Sequence, residues 1–330
     1  MFYFTLILGT LISISSYTWM GMWLGLEINL LSIIPLMSNS NNSMAAEAAM
    51  KYFITQTMAS MIFLFSLIMM SLNFYFMMNN FILTSMLYSS LFIKMGAAPF
   101  HFWFPEIMEG LSWSNSFIML TWQKIAPLVL ITYPNFNSFK FMILIVIFCT
   151  LISGIMGMNQ TNMRKILAYS SINHLSWMLS SMLFFESIWI FYFLVYFITT
   201  FNIVIILNLF NIFHINQLFS SLNQYPLIKF FFMLNFLSLG GLPPFIGFLP
   251  KWLTIQMLIK MNLFSLSLIV IVMTLITLFF YLRIVTLGTT LTSKSKLINK
   301  NYLKSFNTFY LINFIILMML LFITLMFNLN

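Results

Sequence analysis

The chain has 330 residues, of which 62% are hydrophobic and only 6% are charged, with a formal net charge of +9 and a mean hydropathy of +1.01. A soluble domain carries about 25% charged residues, so this chain cannot cover a water-facing surface of its own. Its apolar stretches are continuous rather than alternating, which argues against a membrane barrel. The composition predicts an all-α polytopic membrane protein.

The positive charge does not indicate a nucleic-acid partner. Most lysines are scattered between apolar runs. The one cluster lies between two predicted spans, at Lys294, Lys296, Lys300 and Lys304. Charges placed in this way are typical of a solvated face or a topology signal. We therefore expect no nucleic-acid binding.

Residues that usually hold cofactors are scarce. Cys149 is the single cysteine, so the chain alone cannot build a disulfide, an iron–sulfur cluster or a thiolate zinc site. The sequence has no glycine-rich phosphate loop, metal-ligand spacing or nucleophile elbow. A haem between two histidines is the alternative, but it needs two of His101, His174 and His214 at similar depth. We predict that this chain binds no cofactor.

Polar and turn-rich stretches divide the chain into about eleven transmembrane helices, each near the 20 residues that a bilayer requires. In chain order the predicted spans are 2–19, 22–37, 52–78, 81–99, 114–133, 139–158, 165–183, 187–213, 227–258, 262–285 and 306–328. Since no linker separates two independent domains, we predict a single transmembrane domain over 1–330. Within it, a first repeat covers about 2–133, a second covers about 139–285, and a C-terminal helix covers about 306–328.

Basic residues predict the orientation of these spans. With eleven spans, nine basic residues share a side with the N-terminus: Lys51, Arg164, Lys165, Lys229, Arg283 and the four lysines of 294–304. Only Lys140 and Lys260 fall on the other side. Lysine and arginine collect on the cytoplasmic or matrix side of a membrane. We therefore expect the N-terminus on that side and Asn330 on the opposite one.

Two spans contain helix-breaking residues, at 92–105 and at 237–251. Proline removes a helix donor, and glycine permits backbone conformations that other residues avoid. Backbone groups freed at membrane depth must be buried in protein or line a cavity. Two discontinuous helices in the fourth and ninth spans are typical of an antiporter-like fold built from inverted repeats.

Four charged residues lie in or beside apolar spans: Glu27, Lys94, Lys124 and Lys251. An ionised side chain at the bilayer centre costs about 2.5–3.5 kcal/mol on insertion scales, so such residues usually serve a function. Pairing of Glu27 with Lys94 would compensate both buried charges. Lys124, in the middle of a span, is a candidate proton carrier. Burial disfavours the charged form of an amine, so a buried lysine can release its proton more readily than an exposed one.

Less specific interpretations also exist for these residues. Glu27 would lie at the headgroup level, and Lys94 and Lys251 would extend to the interface, as lysines near helix ends do. His174 lies in a span with several polar residues and is a candidate proton relay. His101 and His214 fall near span ends, where we interpret them as interfacial.

Four segments of the sequence resemble a known family: WLGLEINL at 23–30, KMGAAPFHFWFPE at 94–106, LTWQKIAP at 120–127 and GGLPPFIGFLPKW at 240–252. In content and order they are similar to the antiporter-like membrane subunits of respiratory complex I, in particular the subunit 2 family of mitochondrial NADH–ubiquinone oxidoreductase. The resemblance runs along essentially the whole chain. It implies the shortened animal form, which lacks the first three of fourteen helices and keeps eleven. The N-terminus would then lie in the matrix and the C-terminus in the intermembrane space.

The resemblance also implies a function in proton translocation across the mitochondrial inner membrane. Glu27 and Lys94 would form the switch, Lys124 the central carrier, His174 a relay and Lys251 the terminal carrier. NAD, FMN, iron–sulfur clusters and ubiquinone would belong to other subunits. The partners would be other membrane-arm subunits, including neighbouring antiporter-like subunits, together with phospholipids.

Two other functions are compatible with the composition. A stand-alone cation/proton antiporter would favour carboxylates that bind a cation, yet Glu27 is the only intramembrane carboxylate predicted. A passive scaffold would have no requirement for buried lysines.

Overall fold

A computed structural model describes residues 1–39, 42–72, 80–134, 139–184, 186–223, 225–290 and 313–314. In these ranges the regular secondary structure is helical, apart from one isolated β-bridge between Asn162 and His214. The predicted all-α class is therefore confirmed. By packing, the chain divides into two compact units, Met1–Cys149 and Thr150–Asn330.

The helices follow one another with short connections. The first unit contains α1 (Phe2–Ser15), α2 (Trp19–Met37), α3 (Ser43–Leu72), α4 (Asn80–Met95), α5 (Trp103–Gly110), α6 (Trp113–Leu120) and α7 (Trp122–Thr132). Helix α8 (Phe139–Met158) continues from the first unit into the second. The second unit contains α9 (Met163–Met182), α10 (Glu186–Leu209), α11 (Ile215–Leu222), α12 (Pro226–Gly240), α13 (Phe248–Lys260) and α14 (Phe264–Thr290).

The helices have the length and surface of a membrane protein. Within the described ranges, five are long and apolar enough to cross a bilayer: α2, α3, α8, α10 and α14. Helices α1, α4 and α12 are apolar but shorter. Large apolar side chains such as Leu31, Met61, Leu194 and Leu268 are exposed on the isolated chain. Lipid suits such a surface, so the predicted polytopic membrane fold is confirmed.

Several predicted boundaries differ from the structure. Helix α3 begins at Ser43 rather than near residue 52, because the alanine-rich stretch 43–50 favours helix. The stretch between the predicted spans 187–213 and 227–258 contains α11, whose start is capped by His214 and Gln217. The predicted span 306–328 and the lysine cluster of 294–304 lie outside the described residues, apart from positions 313 and 314.

The predicted continuous span at 114–133 is interrupted in its middle. Helix α6 ends at Leu120, and Thr121 leaves the helical conformation with φ −120° and ψ −70°. Pro127 lacks the N–H that would pair with the carbonyl of Gln123, and its ring crowds that carbonyl. The chain resumes as α7 through a tight turn in which the Lys124 N–H donates to the Thr121 carbonyl over 3.1 Å. The interruption therefore lies next to Lys124.

The first predicted discontinuous helix ends in a left-handed glycine. Gly96 closes α4 with a φ of +70°, and the Ala97 N–H donates back to the Phe92 carbonyl over 3.0 Å. This hydrogen bond across five residues is that of a Schellman motif, in which glycine avoids the steric cost of the left-handed conformation. The chain then crosses Pro99 before α5 begins.

The second discontinuous helix repeats this pattern. Gly241 closes α12 with a φ of +77°, and the Leu242 N–H donates to the Leu237 carbonyl over 3.3 Å. Each of these residues follows its counterpart in the first break by the same number of positions. Gly247 packs against the carbonyl of Ser238, where a Cβ would clash. The two breaks predicted from glycine and proline are therefore present, with matching local hydrogen bonds.

Helix α9 is polar but buried. Most of its residues are shielded from solvent, including Ser170, Asn173 and His174. Helices α10, α13 and α14 pack around it, and the Asn173 Nδ2 donates to Thr277 Oγ1 over 3.1 Å. A buried polar group is costly unless it is hydrogen-bonded, so the second unit encloses a polar interior.

We expect Gly241→Ala to displace the side chain of Lys251 and to destabilise the second break. An alanine Cβ would lie 2.7 Å from Lys251 Cδ, and the residue would have to keep a left-handed conformation that costs about 1–2 kcal/mol. The thermal midpoint of the purified protein should fall. The matched control is Gly240→Ala, whose added methyl meets nothing closer than 3.7 Å. Equal midpoints for the two variants would contradict this account.

Candidate functional site

Three of the four predicted charged residues are buried lysines. The exposed fraction is 7% for Lys94, 1% for Lys124 and 7% for Lys251. Lys140 and Lys260, by contrast, are exposed. A buried ammonium loses its hydration, so each of the three lysines requires polar or aromatic neighbours.

Lys94 lies in the last turn of α4, directly before the break at Gly96. The end of a helix carries partial negative charge from its carbonyl groups, which is favourable for a cation. The side chain lines a cavity of about 10 Å³ together with polar residues of α2, α3 and α7. The structure therefore places Lys94 at a helix end and beside a polar space.

Glu27 is half-buried on α2, near the same group of residues. Its carboxylate acts electrostatically on both Lys94 and Tyr52. No ion pair of 4.0 Å or less joins Glu27 to Lys94, both of which lie in the described part of the chain. One carboxylate oxygen of Glu27 is buried without a hydrogen-bond partner among the described residues. A direct ion pair is therefore absent between these two described residues, and pairing within the reach of one water molecule stays a prediction.

Lys124 is the third residue of α7, just past the interruption at Thr121. Its Nζ lies 5.3 Å from the ring centroid of Phe104, within the range of a cation–π contact. The thiol of Cys149 is a further electrostatic neighbour. Lys124 is therefore enclosed by side chains of the first unit.

Lys251 extends back across the second break to the end of α12. Its Nζ donates to the carbonyl of Gly240 over 2.8 Å and to that of Leu239 over 3.2 Å. It also lies 5.9 Å from the ring centroid of Trp177. The last carbonyls of a helix have no partner within the helix, and a lysine can satisfy them. Lys251 thus caps α12 from α13.

His174 occupies the polar interior of the second unit. Its Nδ1 lies 2.9 Å from the hydroxyl of Tyr192, and its ring centroid lies 5.0 Å from that of Tyr196. These three residues and Leu239 line a second cavity of about 10 Å³. Because the Leu239 carbonyl accepts a hydrogen bond from Lys251, His174 and Lys251 have a common neighbour.

The other two histidines differ from each other. His101 was expected at an interface but is buried within the first break, with Nδ1 3.3 Å from the Pro99 carbonyl. His214 is exposed at the start of α11. Of the three histidines, His174 is therefore the one that lies among the buried polar residues of α9.

Sequence reasoning missed several polar residues around the lysines. Tyr52 and Gln56 lie four residues apart on one face of α3 and line the cavity beside Lys94. That spacing was a usable signal, because residues four apart on a helix are neighbours. The role of Cys149 was also missed: the Ala98 N–H donates to its Sγ over 3.2 Å, so the thiol satisfies backbone freed by the first break.

Known proteins have a similar sequence or a similar fold. The family described as NADH:quinone oxidoreductase/Mrp antiporter, transmembrane, matches residues 16–277. The NADH-ubiquinone oxidoreductase chain 2 of Anopheles gambiae is 51% identical over 290 residues, which cover 86% of this chain and 83% of that relative.

Two solved structures have a similar fold at low identity. A chain of the archaeal membrane-bound sulfane sulfur reductase has a TM-score of 0.83 at 17% identity, covering 99% of this chain and 73% of its own. A chain of respiratory complex I from Thermus thermophilus has a TM-score of 0.76 at 23% identity, covering 88% and 70%. These structures support the antiporter-like fold alone.

The match to the family over most of the chain and the high identity to its animal members agree with the four sequence segments and the two broken helices. The chain belongs to the NADH:quinone oxidoreductase/Mrp antiporter transmembrane family, alongside the animal NADH-ubiquinone oxidoreductase chain 2 proteins.

Proposed function

We propose that this chain is a proton-translocating membrane-arm subunit of NADH:ubiquinone oxidoreductase. The proposal is carried by the burial of Lys94, Lys124 and Lys251 in an otherwise apolar helical chain. The name of the animal relatives and the length over which they match give the enzyme to which the subunit belongs. Ionisable residues at such positions mark proton relays and ion pathways in membrane proteins.

The chain acts as part of a larger assembly in the mitochondrial inner membrane. It assembles with other subunits, including neighbouring antiporter-like subunits, and phospholipids cover its exposed apolar side chains. In this proposal NAD, FMN, iron–sulfur clusters and ubiquinone are held by other subunits. For the clusters the reason is that a single cysteine cannot supply their ligands. The bias of nine basic residues against two favours an N-terminus in the matrix and a C-terminus in the intermembrane space.

Each candidate residue has a specific role in this proposal. Glu27 and Lys94 act as the switch, Lys124 as the central carrier, His174 as a relay and Lys251 as the terminal carrier. A change in the field of Glu27 alters how well Lys94 tolerates its charge, because an electrostatic interaction is strong in a low-dielectric interior. Moving one charge against 100 mV costs about 2.3 kcal/mol, which a rearrangement of charges in a low-dielectric interior can supply.

The two predicted repeats give this proposal its organisation. The first, about 2–133, contains Glu27, Lys94 and Lys124, and the second, about 139–285, contains His174 and Lys251. Each repeat contains a helix that ends at a left-handed glycine, with a buried lysine beside that break. A stand-alone antiporter is the second candidate function, and purification in mild detergent distinguishes the two, since a complex I subunit must co-migrate with a very large assembly.

We expect Lys124→Met to abolish proton translocation through this subunit while the complex still assembles. Methionine is similar in length and removes the cost of burying a charge, but it cannot carry a proton. Coupled NADH–quinone activity in reconstituted vesicles should fall at least about tenfold, as expected for loss of a proton-transfer group. Lys140→Met, at an exposed lysine, is the matched control and should leave the activity unchanged.

Lys124→Arg separates a proton carrier from a fixed charge. Arginine keeps the charge but hardly deprotonates, since the pKa of its guanidinium lies far above the physiological range, so the variant should be nearly as inactive as Lys124→Met. Full activity of Lys124→Arg would show that Lys124 is only a fixed positive charge.

We expect Glu27→Gln to lower coupled quinone reduction by about two- to tenfold without preventing assembly, because the amide keeps the shape of the side chain but removes its charge from Lys94. Proton translocation and quinone reduction are measured together in vesicles. Glu106→Gln is the control, since Glu106 is exposed and pairs with Lys51 over 2.8 Å at the surface, where an ion pair contributes little. Wild-type coupling in Glu27→Gln would remove the switch role.

A further inference from the structure

The cavity beside Lys94 has the size and lining of a water-binding site. Its volume of about 10 Å³ is close to the roughly 10–15 Å³ that one water molecule requires. Five polar side chains line it: Asn29, Tyr52, Gln56, Lys94 and Gln123. A buried water molecule typically makes about three hydrogen bonds, so this lining offers enough partners.

Three of these side chains are fixed by hydrogen bonds to one another. The Tyr52 hydroxyl donates to Gln123 Oε1 over 3.3 Å, and Gln123 Nε2 donates to Asn29 Oδ1 over 2.9 Å. This series of hydrogen bonds connects α3, α7 and α2 around the cavity. It uses both polar ends of the Gln123 amide, and it leaves a further lone pair on Asn29 Oδ1 and on the Tyr52 oxygen for another donor.

Gln56, like Lys94, is a polar lining residue that this series of hydrogen bonds does not include. Its side chain is 3% exposed, and its Nε2 has no hydrogen-bond partner in the part of the chain that the structure describes. A buried donor that makes no hydrogen bond carries the full cost of its lost hydration. Gln56 nevertheless lines the cavity, as does Lys94, whose buried ammonium has the same requirement.

We propose that Gln56 holds one water molecule against Lys94. The water accepts hydrogen bonds from Gln56 Nε2 and Lys94 Nζ and donates to Asn29 Oδ1 and Tyr52 Oη, which gives the Gln56 amide nitrogen a partner and the Lys94 ammonium one acceptor. The inference rests on the proposed function, in which Lys94 exchanges a proton. Gln56 is then a positioning residue, and the water is the hydrogen-bonded neighbour through which Lys94 gains and loses that proton.

Gln56→Met tests the role of Gln56 in the assembled complex. Methionine keeps the volume of the side chain and removes the donor, so coupled NADH–quinone activity in vesicles should fall about two- to tenfold, the effect of losing one hydrogen bond. The matched control is Asn202→Leu. Asn202 is likewise buried, at 2% exposed, and its amide nitrogen has no hydrogen-bond partner among the described residues, but it lines neither cavity. The control should keep its activity. Equal activity of the two variants, relative to the amount of assembled complex, would overturn the proposal.

The water itself gives a readout that a merely structural role would not move. A high-resolution map of the complex should show a density peak at roughly 3 Å from both Gln56 Nε2 and Lys94 Nζ, and the peak should be lost in Gln56→Met. A wild-type map that resolves other buried waters but has no peak there would overturn the proposal. If Lys124→Met is inactive while Gln56→Met is fully active, this inference fails and the proposed function stands. If Lys124→Met translocates protons normally, the proposed function itself fails.

Discussion

The burial of lysine side chains in an apolar helical chain is the constraint on which the rest of the structure depends. An ammonium group that leaves water loses hydration worth far more than one hydrogen bond, so each buried lysine must find substitutes. The substitutes differ at the three sites: a polar cavity at Lys94, an aromatic ring at Lys124 and two backbone carbonyls at Lys251. Within the described residues, neither Lys94 nor Lys251 forms an ion pair of 4.0 Å or less.

The kind of group that solvates a buried lysine determines how firmly the lysine holds its proton. A lysine held in a short ion pair keeps its charge, because removal of either partner leaves an uncompensated charge in the interior. A lysine solvated by a ring, a carbonyl or a cavity is stabilised less strongly and can give up its proton with a smaller change in its surroundings. Solvation of Lys94 and Lys251 by neutral groups is therefore the property that the proposed proton relay needs.

The helix breaks provide much of this solvation. At the second break, the end of α12 exposes the carbonyls of Leu239 and Gly240, and Lys251 donates to both. At the first break, Lys94 lies in the final turn of α4, where the helix dipole favours a cation. A glycine in the left-handed conformation ends each of these helices at its break. In the two units alike, the interruption of the backbone and the position of the lysine are thus parts of one arrangement.

The sequence predicted the class of fold, the membrane setting and both discontinuous helices, because composition, apolar length and Gly/Pro placement are local properties. It did not predict the interruption at Thr121, since Pro127 indicates a kink without specifying where the helix restarts. It also missed the cavity around Tyr52 and Gln56, which forms only when α2, α3, α4 and α7 meet. Charge alone predicted that Glu27 and Lys94 pair, but whether they pair directly depends on the distance between two helices, which is set by packing that a single sequence does not reveal.

The most direct test of the central claim uses vesicles that contain a Lys94→Met complex. It measures the rate of NADH oxidation and the number of protons translocated per NADH oxidised. If weakly solvated lysines carry the protons, coupled NADH oxidation should fall with proton translocation in this variant. Lys260→Met, which changes an exposed lysine at the end of α13, should match the wild type. A Lys94→Met complex with the wild-type rate and the wild-type proton ratio would contradict the account.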